Sequence, residues 1–393
     1  MSGPTACSIP RSFDARWSGG RHDRPTTFAC GDHLRSERRK MSNIIITLGP
    51  STSTKESIER VLVAGADGIR FPASKFSPAS LAQRALEIAD TARALGCSPD
   101  LYLDLPGSKT RFTNNDGFDL AGLSRVRVNF AATAADRDAE LPEIGLTGTQ
   151  MGQLLEPGDV MVVGDGEDAL RVTEMAADHC VAEPLTQGVL GRRRGVVVQG
   201  KVPPVTALTD DDVAALAALP ATIFSAVILS FVESPDTIAQ AKAIMAKSGA
   251  GGPLPAIVAK IETKLGAEAV GEIAEAADAV LLGRGDLLLD VGELDFYDVG
   301  KSVIKETDRR GRPVIVGTQL LNSLSGSWLP NRSELAYVSH LLEKGIDGLL
   351  LSQETTIGHQ PVRTIELLRQ LTARYGKGRP ETPMFPARWE SRP

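Results

Sequence analysis

The segment DAVLLGRGD, residues 278–286, joins a short run of apolar side chains to an Arg-Gly-Asp tripeptide. The residues Ala-Val-Leu-Leu stand in an unbroken row, without the polar alternation of a strand that faces water on one side. An unbroken apolar run of this length is typical of a parallel strand that is buried on both faces. Gly and Asp are ordinary turn residues, so the tripeptide predicts a turn where this strand ends.

The same arrangement recurs along the chain. Seven other segments combine a short apolar run with a polar end: NIIITLG (43–49), DGIRF (67–71), DLYLDL (100–105), SAVILSF (225–231), PAIVAKIE (255–262), PVIVGTQ (313–319) and DGLLLSQE (347–354). Amphipathic helical patterns lie between them, for example over residues 77–96 and 234–249. Eight strand-helix units predict an α/β fold, a (β/α)8 TIM barrel. A doubly wound open sheet uses the same units and is the alternative.

One interval departs from this rhythm. Over residues 112–203 the apolar runs are short and are separated by turn sequences such as EPGD, VGDGED and GRRRG. This pattern predicts an inserted small β-barrel lid domain after the third strand, and it assigns residues 42–111 and 204–375 to the catalytic barrel. Residues 1–41 and 376–393 show no periodicity and are rich in small, proline and charged residues. We therefore expect a disordered extension at each end.

Composition restricts the class of function. The 393-residue chain has a formal net charge of -6, which gives no overall attraction to nucleic acid, and it has no apolar stretch long enough to span a bilayer. Its four cysteines are scattered without metal-binding spacing, as is typical of reduced thiols. The first forty residues lack the apolar centre of a secretory signal, and Met41 is an alternative natural start. These features favour a cytoplasmic protein without nucleic-acid or membrane partners.

Polar residues follow most of the predicted strands. In TIM barrels the reacting groups lie on the loops after the carboxyl ends of the strands. Here those positions carry cations and carboxylates together: Arg70, Asp104, Lys109, Arg111, Lys260, Glu262, Arg284, Asp286, Thr318, Gln319, Ser352 and Glu354. Any one of them alone is more simply explained as a surface charge or a helix cap. Jointly they predict one charged site at the mouth of the barrel.

The residue types indicate what this site binds. Glu262 and Asp286 are hard oxygen donors on neighbouring strands, suited to Mg²⁺ or Mn²⁺ ions that retain water and accept substrate oxygens. Arg70 and Lys260 supply positive charge for a phosphate or a developing oxyanion. Gly285 allows the backbone to approach a small anion, so its amide and that of Asp286 can hold a carboxylate. The site is expected to take a small, doubly anionic metabolite together with a divalent metal.

Six segments resemble, in order and spacing, the signature motifs of the pyruvate kinase family: IIITLGPST, GIRF, AKIET, LGRGDL, GTQLLNS and LLLSQET. The resemblance runs from about residue 43 to residue 374 and implies a (β/α)8 barrel with a β lid. It also implies Mg²⁺-dependent phosphoryl transfer between phosphoenolpyruvate and ADP or another nucleotide, giving pyruvate and ATP. Such transfer depends mainly on positioning and electrostatics, which suits a site of charges without a covalent nucleophile.

The resemblance also implies roles for individual residues. Lys260 would neutralise the transferred phosphoryl group and the enolate oxygen, and Arg70 would bind the phosphate. Glu262 and Asp286 would hold the metal, and the amides of Gly285 and Asp286 would hold the substrate carboxylate.

Further roles implied by the resemblance concern proton transfer and the nucleotide. Thr318 would lie beside the carbon that gains a proton, with Ser352 and Glu354 behind it in a proton chain. Arg111 would contact the nucleotide phosphates, and Arg194 occupies the place of a lysine near the end of the lid in the family motif.

Several positions depart from the family pattern. Pro72 replaces an asparagine that helps to hold a monovalent cation, and Lys109 stands where many members have glutamate. Because a tethered ammonium can replace bound K⁺, we expect Lys109 to make the protein independent of potassium. Val197 replaces another asparagine, which leaves nucleotide preference open. Typical members carry a further C-terminal domain that builds a tetramer, so a homo-oligomer here would be of a different kind.

Two alternatives to a phosphotransferase are considered. A Mg²⁺-dependent lyase or aldolase that acts through a pyruvate enolate would use Glu262 and Asp286 in the same way. Arg111, Lys109 and a closing lid are needed only by the transferase, which favours it. The second alternative, a non-catalytic paralogue, is disfavoured because Lys260 is retained along with both acidic residues.

Overall fold

In a computed structural model, eight parallel strands close into a barrel, which confirms the predicted fold class. The structure describes residues 42–147, 150–201, 203, 208–219, 223–247, 254–377 and 384–385. Strands are numbered along the chain, and β4–β11 belong to the insertion. The barrel strands are β1 (Asn43–Thr47), β2 (Gly68–Pro72), β3 (Asp100–Asp104), β12 (Ala226–Leu229), β13 (Ala256–Ile261), β14 (Ala279–Gly283), β15 (Val314–Gly317) and β16 (Gly348–Leu350). Strand β1 pairs in parallel with both β2 and β16, which closes the ring.

Burial on both faces explains the unbroken apolar runs. Inward-facing side chains such as Ile45, Ile228 and Leu281 fill the barrel interior. Their neighbours Ile44, Val227 and Leu282 face outward and pack with the surrounding helices into a second, larger core. Since neither face meets water, no position along these strands has to alternate with a polar residue.

Helices surround the barrel, as the amphipathic segments predict. They are α1 (Lys55–Val63), α2 (Pro78–Ala94), α4 (Asp210–Ala217), α5 (Pro235–Lys247), α6 (Lys264–Glu268), α7 (Val270–Ala276), α8 (Arg284–Arg309), α9 (Arg332–Lys344), α10 (Gln353–Thr356) and α11 (Pro361–Tyr375). The short helix α3 (Gln150–Leu154) lies in the insertion after β3 instead. Helix α8 is broken at Gly292, which has a φ of 79°. The Ser77 side chain caps α2 by accepting the Ser80 amide, and α5 begins at Pro235. The predicted end of α5 at Gly249 lies outside the described residues. Within the described part of the chain, none of the helices combines the length and apolarity needed to cross a membrane.

The insertion after β3 forms a curled β lid with its own apolar core. Six strands lie in the order β11-β7-β8-β9-β5-β6, and β10 pairs with β4. Their bounds are β4 (Phe118–Asp119), β5 (Val126–Asn129), β6 (Glu143–Gly145), β7 (Val160–Val163), β8 (Asp168–Met175), β9 (His179–Pro184), β10 (Val189–Leu190) and β11 (Val196–Val198). Arg111 pairs with Gly195 beside β11, and Phe112 pairs with Leu146 beside β6. The segment that enters the lid therefore joins the two ends of the curled sheet.

The extensions that were expected to be disordered are described only in part. Residues 1–41 and the predicted lid boundary at 204 lie outside the described residues. Near the carboxyl terminus, Met384 and Phe385 pack into the barrel interior, where the Phe385 and Tyr102 ring centroids are 5.9 Å apart. For these two residues the structure differs from the expected disordered tail. Two apolar residues that fill the end of a barrel leave no periodic pattern in the sequence.

The first residue of β3 gives this end of the barrel a pH-dependent stability. Burial raises the pKa of Asp100 from 3.8 to about 7, with a further contribution from the charge of Asp67. A carboxyl whose pKa is higher in the folded state stabilises the fold at low pH, and it loses this contribution as pH rises from about 4 to about 7. A shift of roughly 3 units corresponds to about 4 kcal/mol.

We therefore expect the free energy of unfolding of the wild type, minus that of Asp100→Asn, to fall by up to about 4 kcal/mol between pH 4 and pH 8. Urea denaturation of both proteins across this range measures the difference, and subtraction removes the contributions of all other titrating groups. A difference that stays constant with pH would show that Asp100 titrates normally.

Candidate active site

The Arg-Gly-Asp tripeptide forms the first turn of α8, so the prediction of a non-helical turn is wrong. Gly283 is the N-cap of this helix, and Arg284 follows β14 without an intervening loop. The first amides of a helix have no intrahelical acceptor and favour a negative partner. The amides of Gly285 and Asp286 therefore lie at the carboxyl end of β14 with no acceptor from the helix itself.

Lys260 and Glu262 form a buried ion pair at the carboxyl end of β13. The Lys260 Nζ and Glu262 Oε1 atoms are 2.8 Å apart, and Glu262 Oε2 accepts the Phe231 backbone amide at 3.3 Å. Burial by itself lowers the pKa of Lys260, but the carboxylates of Glu262 and Asp104 outweigh it and raise that pKa overall. Lys260 is therefore held as a cation in a site that excludes most water.

Arg70, in the middle of β2, contacts Asp104, the last residue of the neighbouring strand β3. An Arg70 guanidinium nitrogen lies 3.3 Å from Asp104 Oδ2, and both side chains are mostly buried. Among the described residues, Arg70 Nε and Asp104 Oδ1 are buried without a hydrogen-bond partner. Since buried polar atoms are normally paired, these two atoms are available to a bound ligand.

Lys109 contacts the second predicted metal ligand. Its ammonium forms a close ion pair with Asp286 Oδ1, and each side chain is 16% exposed. Lys109 also packs against the lid, because a Cβ built on Gly195 would collide with its Cε atom. Lys109, the proposed potassium substitute, thus lies between the lid and the Asp286 carboxylate that is predicted to bind the metal. The sequence does not predict this contact.

The carboxylates of Glu262 and Asp286 are suited to a divalent metal. Burial raises the pKa of Glu262, and the negative charge of Asp286 contributes to the rise. A cation bound by both carboxylates would offset the free-energy cost of keeping two negative charges close together in a buried site. In the part of the chain that the structure describes, no group of three or more His, Cys, Asp or Glu residues forms a metal cluster. Two carboxylates suit an ion such as Mg²⁺, which fills its remaining positions with water and substrate oxygens.

Thr318 lies directly against the tripeptide. A Cβ built on Gly285 would lie 3.1 Å from Thr318 Cγ2, so glycine permits the close approach of the two loops. Thr318 and Gln319 have left-handed backbone angles, with φ of 71° and 52°. Non-glycine residues rarely adopt this conformation, and a β-branched threonine is particularly unusual there. Nothing in the sequence indicated this feature.

Glu354 joins two loops at the mouth. It is fully buried, and its Oε1 and Oε2 atoms accept the backbone amides of Leu321 at 3.0 Å and Ser352 at 2.8 Å. The structure therefore gives Glu354 a clear part in holding the loops after β15 and β16 together. Participation of Ser352 and Glu354 in a proton chain stays a prediction.

The predicted nucleotide contacts lie where the lid meets the barrel. Arg111 donates a hydrogen bond to the Arg193 carbonyl at 3.2 Å, while Arg194 forms an ion pair with Glu167 of the lid. Burial lowers the pKa of Arg111, and the charges around it include Asp286 as well as the two lid arginines. Arg111 thus lies between Asp286 and the lid, whereas Arg194 is paired with Glu167 on the lid surface.

A cavity of about 300 Å³ separates the two domains. Lys109, Glu262 and Asp286 line its barrel side, and Met151 and Val196 line its lid side. Three of the residues predicted from separate strand ends, Lys109, Glu262 and Asp286, therefore share one cleft, and Met151 and Val196 of the lid close its other side.

Known proteins give an independent comparison. The family model described as pyruvate kinase, barrel domain, matches residues 39–365. A pyruvate kinase from Methylorubrum extorquens is 30% identical over 335 residues, which cover 85% of this chain and 68% of that protein. A pyruvate kinase from Aeropyrum pernix is 28% identical over 331 residues, covering 84% and 70% of the two chains. The crystal structure of pyruvate kinase from Pyrobaculum aerophilum shares the fold, with a TM-score of 0.76 at 23% identity, covering 88% of this chain and 77% of that one. The chain therefore belongs to the pyruvate kinase family.

Proposed function

We propose that this protein transfers a phosphoryl group between phosphoenolpyruvate and ADP, or another nucleoside diphosphate, to give pyruvate and the triphosphate. The observation that carries the proposal is the convergence of four charged side chains from three strands or strand ends of the barrel. Lys260 pairs with Glu262 and interacts with the charge of Arg70, and Glu262 interacts with the charge of Asp286. Family membership supports the same reaction. A cytoplasmic location is part of this proposal.

The chemistry follows from the charges. The bond between the enol oxygen and phosphorus breaks, and a terminal oxygen of the nucleotide forms the new bond to phosphorus. Negative charge develops on the transferred group and on the enolate oxygen, and the buried cations Lys260 and Arg70 stabilise both. Little rearrangement is needed during the reaction, because Lys260 is already fixed by Glu262 at 2.8 Å.

The enolate would then take a proton on its terminal carbon to become pyruvate, and the proton would come from water through the predicted chain of Thr318, Ser352 and Glu354. The amides of Gly285 and Asp286 would hold the substrate carboxylate, and Thr318, which lies against Gly285, would present its hydroxyl to the bound molecule. Arg111, at the edge of the lid, would bind the nucleotide phosphates, and Arg194 would join it when the lid closes.

Glu262 and Asp286 are the residues that would hold Mg²⁺ or Mn²⁺. When bound, the metal would supply positive charge that stabilises the negative charge developing on the substrate oxygens. Lys109 has to share the Asp286 carboxylate with this ion or move away from it, because its ammonium already contacts Oδ1.

A direct assay tests the proposal. Purified protein is mixed with phosphoenolpyruvate, Mg²⁺ and a panel of nucleoside diphosphates, and pyruvate release is coupled to its reduction. Activity that needs both the metal and a nucleotide, and that is lost in Lys260→Met, supports the transferase. Pyruvate formation without any nucleotide, or none with every nucleotide tested, would refute it.

We further expect the reaction to be independent of potassium. The Lys109 ammonium lies beside Asp286 and supplies the fixed monovalent charge that a bound K⁺ would otherwise provide. Initial rates should be equal in buffers that contain K⁺ and in buffers that contain tetramethylammonium at the same ionic strength. Lys109→Met should be slower, with partial recovery in K⁺. Strong activation of the unmodified protein by K⁺ would contradict this expectation.

A further inference from the structure

We propose that Arg284 is a positioning residue, which fixes Thr318 in its left-handed conformation and so places the Thr318 hydroxyl beside the reacting carbon. The second half of this statement rests on the proposed function. The first half concerns only the conformation of the loop after β15.

The contacts of Arg284 are concentrated on that loop. Its Nε donates to the Gly317 carbonyl at 3.1 Å, and its Nη2 donates to the carbonyls of Thr318 and, at 2.9 Å, Gln319. A single guanidinium therefore binds three consecutive backbone carbonyls. The rigid, planar guanidinium spreads its donors over separate nitrogens and can hold three neighbouring carbonyls in a fixed arrangement, whereas a lysine ammonium has its three donors on one nitrogen at the end of a flexible stem.

The loop needs such support. Thr318 and Gln319 both have positive φ, at 71° and 52°. This conformation brings the Cβ of an L-residue close to a carbonyl oxygen, and it persists only where surrounding contacts compensate for its cost. Hydrogen bonds from a charged donor are stronger than neutral ones, and those from Arg284 are made to the two strained residues and the one before them.

Arg284 is itself held in place. Its guanidinium lies over the Tyr337 ring of α9, 4.6 Å from the ring centroid, and its backbone belongs to the first turn of α8. The side chain is thus fixed at both ends, by the helix that carries it and by the aromatic ring that it covers.

The position of Thr318 depends on this arrangement. Its Cγ2 atom fits against Gly285 with no space for a further methyl group. If the loop relaxed to negative φ, the Thr318 side chain would leave this contact, and its hydroxyl, whose oxygen now lies 4.0 Å from a Cβ built on Gly285, would move with it. Arg284 would therefore act on the reaction through Thr318, without touching the substrate.

Two measurements test this inference. The first is a crystal structure of Arg284→Met, in which we expect φ of Thr318 and Gln319 to become negative. The second is a double-mutant cycle with Thr318→Ala, in which each single variant should lower kcat on the order of 100-fold. Because both variants disturb the same hydroxyl, the double variant should be no more than a few-fold slower than either single variant. Arg284→Lys should recover only part of the rate.

Arg312→Met is the matched control. Arg312 also binds backbone carbonyls, those of Ala274 at 3.0 Å and Glu275 at 3.1 Å, but it precedes β15 and lies away from the mouth. We expect this variant to lose thermal stability while kcat stays within a few-fold of the wild type.

The outcomes separate the inference from the proposed function. An Arg284→Met crystal structure with unchanged φ at Thr318 would overturn the inference, as would multiplicative losses of kcat in the double variant. If the unmodified protein shows no phosphotransferase activity, the proposed function fails, while the crystal structure still decides whether Arg284 fixes the loop.

Discussion

Replacing Lys260 with Met is expected to lower kcat by at least about 10³-fold, because the variant removes a preorganised charge from the atoms on which negative charge develops. Lys260 is mostly buried, and it is held as a cation by Glu262 and Asp104. In such a site, water cannot replace the missing charge. Steady-state kinetics with saturating phosphoenolpyruvate and nucleotide measure the loss, which should appear in kcat more than in KM for the nucleotide.

The control for this experiment addresses folding. Removal of Lys260 leaves the buried Glu262 carboxylate without its counter-charge, which is expected to cost about 3–5 kcal/mol of stability. Thermal unfolding of each variant should therefore be measured in parallel. Lys260→Arg retains the positive charge and serves as the reference variant. Lys301→Met, on the outer surface of α8, should behave like the wild type. A folded Lys260→Met protein that retained a tenth of the wild-type kcat would exclude Lys260 as the stabilising cation.

Replacing Asp286 with Asn is expected to weaken binding of Mn²⁺ by about 100-fold, the equivalent of about 3 kcal/mol. The change preserves the size of the side chain and its place in the first turn of α8, but it removes one of two anionic ligands. Asp286→Asn also breaks the ion pair with Lys109. Titration of the protein with Mn²⁺, followed by electron paramagnetic resonance of the free ion, measures affinity without any turnover.

A matched variant beyond the break of α8 at Gly292 makes the result specific. Asp298→Asn removes the same charge from an exposed position of α8, and it is expected to leave Mn²⁺ affinity unchanged. Glu262→Gln should resemble Asp286→Asn. Equal Mn²⁺ affinity in the wild type and both active-site variants would show that these two carboxylates do not hold the metal.

Much of the architecture could be predicted from the sequence. The eight apolar runs became the eight strands of the barrel, because short, β-branched or Leu-rich runs bounded by turn residues are typical of strands buried on both faces. The inserted lid was recognisable from its short strands and turn sequences. Charged residues at strand ends were recognisable for the same reason, since strand direction alone assigns them to one mouth.

Local sequence patterns did not predict contacts between residues that are far apart in the chain. Lys109 and Asp286 are separated by 177 positions, and neither residue type nor spacing indicates that they form an ion pair. The Arg-Gly-Asp tripeptide was predicted as a turn, because glycine and aspartate favour turns and first helical turns alike. Glu354 was assigned to a proton chain, while its two backbone contacts emerge only when the loops after β15 and β16 lie side by side.

The sequence by itself therefore determined which residues lie at the mouth of the barrel. The local succession of apolar and polar residues shows which segments are buried strands and where each strand ends. Tertiary structure alone decided how those residues face one another: the close approach of Thr318 to Gly285, the left-handed backbone that Arg284 binds, and the placement of Phe385 in the barrel interior. These features depend on packing between segments distant in sequence, and their free energies arise only once the chain has closed into the barrel.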